Sequence, residues 1–353
     1  MVTQTLRGET MRAGPLMALP EIMSGFGIAF DSILAEVGLR RDLFATPDNV
    51  LAVADAGRLL ELCAERAHCP HLGLLVGQAV TPANLGLPGL LMESSATLGA
   101  ALKSLVLTLH FNGRAAIIAL STRGDAASFS IAIAPGVALG RSIGRDLSLA
   151  VACQLIRSLV GRDWTPSDVW LARHAPADRR PYKQCFGVEP RFDTEASALL
   201  FPAAWLERPI ATANRETRRQ IERILSRRAS TDAEFVLFCR RAIVAAIVQQ
   251  NFSVDTVAGL LKLHRRTLNR RLAALGTSVP AQLKDIRFAF AREFLTDTSL
   301  SVAEIAAALG YSETATFSRT FRSWAGQSPS DWRRAAESRT AAAVGQGQGE
   351  GQG

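Results

Sequence analysis

Residues 304–334 read EIAAALGYSETATFSRTFRSWAGQSPSDWRR and decide the fold of the C-terminal third of this chain. A short helical pattern begins after Ser301, which has a glutamate three positions on and so predicts a capping box. Gly310 ends this pattern, where a tight turn needs a permissive backbone. A second helical pattern follows, with Phe317 and Phe321 one turn apart on the same face. Two short helices joined by a tight turn predict a helix-turn-helix.

The same pattern occurs a second time, nearer the N-terminus. Ser253-Val-Asp-Thr-Val-Ala258 matches Ser301-Val-Ala-Glu-Ile-Ala306 at a spacing of 48 residues. Leu268-Asn-Arg-Arg-Leu272 matches Phe317-Ser-Arg-Thr-Phe321 at a spacing of 49 residues. Serine is a favoured N-cap residue, so both short helices have a defined start. The two predicted helix-turn-helix units span about 253–274 and 301–325.

The segment between the two units, residues 280–295, reads PAQLKDIRFAFAREFL. It starts with proline, which is favoured in the first turn of a helix. Leu283, Ile286, Phe290 and Leu295 can pack both units onto this one connecting helix. A rigid spacer of this kind would place two recognition helices on one face of DNA, about one helical turn (~34 Å) apart.

The basic residues are concentrated at the C-terminal end of the chain. Residues 1–210 carry 19 Lys+Arg and 19 Asp+Glu, whereas residues 240–335 carry 14 basic and seven acidic residues. Residues 211–232 carry six basic and three acidic residues and have few apolar side chains, which predicts an exposed helical linker. A neutral body joined to a basic module indicates a polyanionic partner that contacts one end of the protein.

The N-terminal body mixes helical and strand-like patterns. The helical stretches are 54–67, a segment that starts near Thr97, and 146–160. The strand-like stretches are 115–120 and 128–134, separated by the turn-prone residues 122–125. These patterns predict an α+β domain, whereas every periodic segment from Phe235 to Trp332 is helical and predicts an all-α domain.

The C-terminal stretch resembles the signature of AraC/XylS-family transcription regulators. Weaker similarity to the sensor domain of one AraC-type subgroup lies in residues 86–105, GLPGLLMESSATLGAALKSL, and 182–201, YKQCFGVEPRFDTEASALLF. The first helix-turn-helix departs from the family pattern, because Lys262 stands where glycine is usual and His264 where serine usually caps the recognition helix. The residues that match the signature are Ile305, Ala306, Gly310, Tyr311, Phe317, Arg319, Phe321, Arg322, Gly326, Ser328, Pro329, Trp332 and Arg333.

The recognition helices are expected to present polar side chains opposite their buried residues. Inward-facing Leu268 and Leu272 leave Arg266, Asn269 and Arg270 on one exposed face. Arginine can read guanine and asparagine can read adenine in the major groove. On the second helix, the inward-facing phenylalanines leave four further residues towards solvent, which the resemblance places in or beside the groove: Thr314, Ala315, Ser318 and Arg319. Three arginines are assigned to phosphate, which positions a protein without specifying sequence: Arg265, Arg271 and Arg322.

Two short fragments of the sequence indicate other functions. Gly140-Arg-Ser-Ile-Gly144 matches a nucleophile elbow with Ser142 as nucleophile and would make the chain a serine hydrolase, with His174 as the base. However, Pro135 and Gly136 interrupt the strand that should lead into it. The metal-type side chains of Cys63, His68, Cys69 and His71 would make a metal-sensing regulator, but no second half of a closed site follows.

The resemblance and the residues together predict a one-component transcription regulator and not an enzyme, with no metal or other cofactor. The resemblance favours an effector-responsive activator, and repression is the alternative. Its expected partners are double-stranded promoter DNA, RNA polymerase, a small-molecule effector and a second copy in a homodimer. No membrane partner is expected, and five cysteines without a C-x-x-C pair suit a cytoplasmic protein. The predicted organisation is an N-terminal arm (1–19), a ligand-sensing domain (20–208), a basic linker (209–232), a DNA-binding domain (233–336) and a disordered tail (337–353).

Overall fold

The computed structural model describes residues 10–109, 112–113, 116–133, 141–228, 232–248, 252–261 and 263–347. The chain divides into two units. The first contains the described residues up to Leu171 together with Pro176–Arg191 and Ala196–Phe235. The second contains Ala172–Ala175, Phe192–Glu195 and the described residues from Val236 onwards.

The first unit combines helices with two sheets, which confirms the predicted α+β class. Its helices are α1 (Leu19–Gly25), α2 (Phe30–Val37), α3 (Val53–Arg66), α4 (Leu72–Gln78), α5 (Leu87–Glu93), α6 (Leu98–Thr108), α7 (Arg141–Val160), α8 (Arg180–Phe186) and α9 (Arg215–Arg228). Its strands are β1 (Thr10–Arg12), β2 (Val50–Ala52), β3 (Ala116–Arg123), β4 (Ala126–Ile133), β5 (Asp168–Leu171), β6 (Arg191–Phe192) and β7 (Ser197–Pro202). Short 3-10 helices lie at Gly14–Leu16, Arg41–Ala45, Pro82–Leu85 and Ala203–Glu207.

The larger sheet has five strands in the order β3-β4-β7-β5-β6, and β1 pairs with β2 in a separate ribbon. Strands β3 and β4 form a hairpin in which Arg123 lies opposite Ala126. The predicted turn 122–125 is therefore shorter than expected, because residues 122 and 123 continue the strand. Gly124 has φ +58°, a conformation that a two-residue hairpin turn needs and that glycine adopts readily.

Helices α4 and α7 pack closely in the first unit because α4 carries two glycines one turn apart. A Cβ atom built on Gly73 would lie 2.4 Å from the carbonyl oxygen of Ile143. One built on Gly77 would lie 2.5 Å from the Cβ of Ala150 and 2.8 Å from the oxygen of Leu147. The backbones of α4 and α7 can lie this close together only because Gly73 and Gly77 have no side chain.

Gly77→Ala is expected to destabilise the first unit by about 1–3 kcal/mol, because the new methyl group meets backbone that must move apart. The free energy of unfolding from urea titration, followed by circular dichroism, measures the effect. Gly25→Ala is the control, since a Cβ at Gly25 meets nothing within 4 Å. This control is expected to change stability by no more than about 0.5 kcal/mol. Equal stability of the two variants would show that α4 and α7 are not packed so closely.

All five cysteines are buried and free. Burial raises the pKa of Cys63 to about 12 and that of Cys153 to about 11. Burial also raises the pKa of Cys185 to about 12 and that of Cys239 to about 11. A thiol is reactive as its thiolate, so these side chains behave as small apolar core residues in the folded protein.

Helix α9 covers most of the predicted basic linker and is anchored to the first unit on one face. Its Ile221 is buried and packs against Leu91 of α5. Arg218 donates hydrogen bonds to Ser95 Oγ at 2.6 Å and Ser104 Oγ at 3.1 Å, and it forms an ion pair with Glu222 at 2.9 Å. The polar, arginine-rich composition is thus that of an amphipathic surface helix.

From Asp232 onwards the described residues form helices and no strand, which confirms the predicted all-α class. The helices are α10 (Asp232–Val248), α11 (Val254–Leu260), α12 (Arg265–Ala274), α13 (Val279–Asp297), α14 (Val302–Ala308), α15 (Thr314–Ala325) and α16 (Pro329–Gly347). Helix α16 reaches into the tail for which disorder from residue 337 was expected. The reason is local, since alanines 341–343 are strong helix formers that extend an existing helix.

Within the described residues, the longer helices are too polar to cross a lipid bilayer.

Candidate nucleic-acid interface

The first helix-turn-helix consists of α11 and α12. Ser253 caps α11, since its Oγ accepts a hydrogen bond from Thr256 N at 2.9 Å. The turn after α11 is closed by a hydrogen bond of 2.9 Å from Leu263 N to Ala258 O. His264 occupies the N-cap position of α12 but makes no side-chain cap hydrogen bond. The turn is therefore formed although His264 stands at the cap position. Lys262 lies outside the described residues.

Helix α12 has one apolar face and one polar face, as predicted. Leu268 and Leu272 are fully buried at consecutive turns. The three predicted base-reading residues of this helix, Arg266, Asn269 and Arg270, are all exposed. The structure thus brings them together on the side opposite the leucines, where a major groove could receive them.

The second helix-turn-helix consists of α14 and α15. Its capping box is confirmed, because Ser301 N donates to Glu304 Oε2 at 2.7 Å and Glu304 N donates to Ser301 Oγ at 3.2 Å. Hydrogen bonding from the Ser301 side chain, and then from its main-chain N–H, stabilises the charged carboxylate and lowers the pKa of Glu304. Gly310 has φ +74° and makes the turn between the two helices, as the sequence predicted.

Helix α15 buries Phe317 and Phe321 completely. Thr314, Ala315 and Arg319 are exposed, whereas Ser318 is half-buried because it follows Phe317 at the edge of the apolar face. The guanidinium of Arg319 donates to Thr316 Oγ1 at 3.4 Å, on the same exposed side of the helix. Three of the four residues predicted to face DNA are therefore exposed, and two of those three, Thr314 and Arg319, carry polar groups.

The three arginines assigned to phosphate are exposed at different places. Arg265 opens α12 and forms an ion pair with Asp255 at 3.5 Å. Both partners are well exposed, so this pair contributes little to stability and can be exchanged for a phosphate. Arg271 and Arg322 lie towards the ends of their helices, in the last turn of α12 and of α15.

Connecting helix α13 carries the core on which the second unit is built. Ile286, Phe290 and Leu295 are buried as predicted, while Leu283 is half-buried. An aromatic cluster joins this helix to α15 and α16, and it was not anticipated from the sequence. Its ring pairs are Phe288 with Phe321 at 5.7 Å, Phe288 with Trp324 at 5.6 Å, and Phe321 with Trp332 at 5.9 Å between centroids.

Part of the basic charge counted in the sequence is used inside this module. Arg333 donates hydrogen bonds to Leu295 O at 3.3 Å and Leu300 O at 2.5 Å, and so ties α16 to the end of α13. Arg287 stacks over Tyr311 with its guanidinium carbon 4.6 Å from the ring centroid. Burial lowers the pKa of Arg287 from its ordinary value. These arginines stabilise the fold, so the positive surface is formed by fewer residues than the composition suggests.

The fragments behind the two alternative functions do not form sites. Ser142 lies in the first turn of α7, whereas a nucleophile elbow needs a strand-to-helix turn, and residues 134–140 lie outside the described residues. His174 belongs to the second unit and pairs through Nδ1 with Asp193 at 3.0 Å. Cys63 and Cys69 are buried in the core, and no three metal-type side chains gather anywhere in the described chain.

Comparison with known proteins gives matches to both units. Residues 27–210 match the model of the arabinose-binding domain of AraC transcription regulators, and residues 257–335 match a helix-turn-helix domain model. The ornithine utilization regulator of Pseudomonas aeruginosa is 29% identical over 90% of this chain and 94% of its own length. The regulator VirS of Mycobacterium tuberculosis is 27% identical over 92% of this chain and 97% of its own.

Among solved structures, the transcriptional regulator CdpR from Pseudomonas aeruginosa is 26% identical, with a TM-score of 0.42, and the match covers 86% of this chain and 96% of that one. Two helix-turn-helix units with exposed polar recognition faces, joined to a separate α+β unit, define a DNA-binding transcription regulator. Since the sensor model alone matches more than half of the residues, the chain belongs to the AraC family of transcription regulators.

Proposed function

We propose that α12 and α15 enter two adjacent major-groove segments of promoter DNA. The observation that carries this proposal is the polar face of α12, where Arg266, Asn269 and Arg270 are exposed opposite two fully buried leucines. On α15 the corresponding residues are Thr314, Ala315, Ser318 and Arg319. Phosphate contacts come from Arg265, Arg271 and Arg322, and they hold the module in register without choosing sequence.

The two units divide the work of the regulator. The DNA-binding domain comprises about residues 233–336 and the sensor domain about residues 20–208. The sensor binds a small-molecule effector in the cytoplasm and thereby changes DNA binding, and the regulator activates transcription through contacts with RNA polymerase. Family membership supports these assignments, as does the match of the first unit to a ligand-binding domain model. The same family membership supports a homodimer as the assembly that binds DNA.

Binding-site selection from a pool of random duplexes tests the proposal with the full-length protein. Arg270→Ala is expected to weaken binding to the selected site by about 1–3 kcal/mol and to relax the preference at one base pair, because a base-edge contact is lost. Arg265→Ala is expected to weaken binding to all DNA sequences about equally. It is also expected to make the slope of the logarithm of the binding constant against the logarithm of the salt concentration shallower by about one.

Lys103→Ala is the control for this pair, since it removes an exposed positive charge from α6, outside the two helix-turn-helix units. It is expected to leave both the selected sequence and the salt slope unchanged. The assignment of the helix faces would be contradicted if Arg270→Ala selected the wild-type DNA sequence while Arg265→Ala selected a different one. Failure of the wild-type protein to enrich any sequence would overturn the proposed function as a whole.

A further inference from the structure

The first unit contains a cavity between the larger sheet and the helices that cover it. Leu105 of α6, Ile118 of β3, Phe129 of β4 and Leu155 of α7 lie on its walls. The cavity has a volume of about 100 Å³. An apolar cavity of roughly 150 Å³ binds benzene, a molecule of six non-hydrogen atoms, so this space suits a molecule of fewer than about ten non-hydrogen atoms.

The side chains that line the cavity restrict the chemical class of ligand that can bind there. Among the described residues that line the cavity, none carries a charge and only Asn112 and Ser148 have polar side chains. The Ser148 hydroxyl donates a hydrogen bond to Gly144 O at 2.8 Å, so its proton is already used. A molecule that enters this space must therefore leave most of its surface in contact with hydrocarbon.

Asn112 supplies the remaining hydrogen-bond donor. Its side chain is buried, with an exposure of 6%. Arg12 Nη1 donates to Asn112 Oδ1 at 3.1 Å, which fixes the amide with its oxygen towards the guanidinium and its Nδ2 away from it. No hydrogen-bond acceptor for Nδ2 is found in the part of the chain that the structure describes. A buried donor without an acceptor is rare in native proteins and calls for a partner.

The guanidinium of Arg12 is held by three partners and keeps this amide in place. It donates to Leu85 O at 2.7 Å as well as to Asn112, and it forms an ion pair with Asp48. The main chain adds a further bond, from Arg12 N to Asn112 O at 2.9 Å. Because its charge is balanced by Asp48, Arg12 does not call for an anionic ligand.

We infer that the cavity binds an uncharged aliphatic molecule of fewer than about ten non-hydrogen atoms, with one carbonyl oxygen that accepts the hydrogen bond from Asn112 Nδ2. A sugar would bring several hydroxyl groups into hydrocarbon without partners. A diamino acid such as ornithine, the compound in the name of the Pseudomonas aeruginosa relative, would bring charges that no described lining residue balances. The inference rests on the proposed function, since this ligand would be the effector of the sensor unit.

Isothermal titration and thermal unfolding of the full-length protein test this inference, with heptan-2-one as the probe and heptane as its counterpart without an acceptor. Heptan-2-one is expected to bind with saturation and to raise the melting temperature, because it binds the folded state. Heptane is expected to bind about threefold to tenfold more weakly, the effect of one hydrogen bond. L-arabinose and L-ornithine are expected to leave the melting temperature unchanged.

Two variants locate the binding site. Asn112→Leu is expected to abolish the difference between heptan-2-one and heptane, since it removes the donor and keeps an apolar wall. Ala152→Phe places a ring in the cavity and is expected to abolish binding of both probes. If either variant fails to fold, the other still decides. Absence of binding to the wild-type protein, or binding that Ala152→Phe leaves intact, would overturn the inference.

Binding-site selection on the same protein preparation separates this inference from the proposed function. If the protein selects a DNA sequence but does not bind heptan-2-one, the ligand inferred for the cavity is wrong and the proposed function is retained. If the protein binds heptan-2-one but selects no DNA sequence, the proposed function is wrong and the ligand site is retained. An L-arabinose or L-ornithine titration that Ala152→Phe abolishes would show that the cavity takes a polar ligand, and the class of ligand inferred from its walls would be wrong.

Discussion

Phe321→Ala is expected to cost about 3–5 kcal/mol of the stability of the DNA-binding module and to abolish sequence-selective DNA binding near 37 °C. Phe321 is completely buried, and its ring lies within 6 Å of those of Phe288, Phe317 and Trp332. Truncation leaves a cavity where α13, α15 and α16 meet. Because small domains have a total stability of only about 5–15 kcal/mol, this loss removes a large share of the stability of the module.

Urea titration followed by helical circular dichroism measures this effect, together with the affinity for the selected duplex. Ser323→Ala on the same helix is the matched control, since Ser323 is exposed and its change is expected to stay within about 0.5 kcal/mol. A cost below about 1 kcal/mol for Phe321→Ala, with selective DNA binding retained, would show that the aromatic cluster does not hold the second unit together.

Trp164→Ala is expected to destabilise the sensor unit by a similar amount, about 3–5 kcal/mol, while the selected DNA sequence stays the same. Trp164 is 2% exposed and packs edge-on against Phe201, with 5.7 Å between the ring centroids. Its carbonyl oxygen also accepts a hydrogen bond from Arg157 Nε at 2.9 Å, which a substitution of the side chain leaves in place. The loss is therefore one of packing in the first unit.

Thermal unfolding and binding-site selection on the same variant measure the two effects separately. Trp164→Phe serves as the control, because the indole Nε1 of Trp164 has no hydrogen-bond partner within the described residues and the smaller ring gives up volume alone. It is expected to cost clearly less than Trp164→Ala. Loss of DNA selectivity in Trp164→Ala, at a temperature where the helices of the second unit remain folded, would contradict the proposed division into two domains.

The DNA-binding module was predictable to a large extent because its signals are local. Ser301 and Glu304 form the capping box that their spacing indicates, and the left-handed turn lies at Gly310. The spacing of Leu268 and Leu272 gave the buried face of α12 correctly. Residues three or four apart on a helix share a face whatever surrounds them, so the face of a recognition helix can be read before the fold is known.

The extent of each element was less predictable, because packing and neighbouring residues decide where a helix or strand ends. Helix α7 begins at Arg141, five residues before its apolar periodicity starts, because Arg141 and Ser142 have no apolar side chain that would mark the start. Helix α16 extends to Gly347 through a stretch whose composition indicates disorder. In both cases the helix continues past the segment that its apolar pattern marks.

Sequence patterns alone established the class of each unit, the two helix-turn-helix motifs, the serine caps of α11 and α14 and the side chains on the outer faces of α12 and α15. Only the tertiary structure decided the strand order, the use of Arg333 and Arg287 inside the module, and the cavity around Asn112. The physical reason is sequence separation. Arg12 reaches Asn112 across 100 residues, and Arg333 reaches Leu295 across 38. Periodicity and capping act over one or two helical turns, whereas such distant partners are chosen by how the whole chain packs.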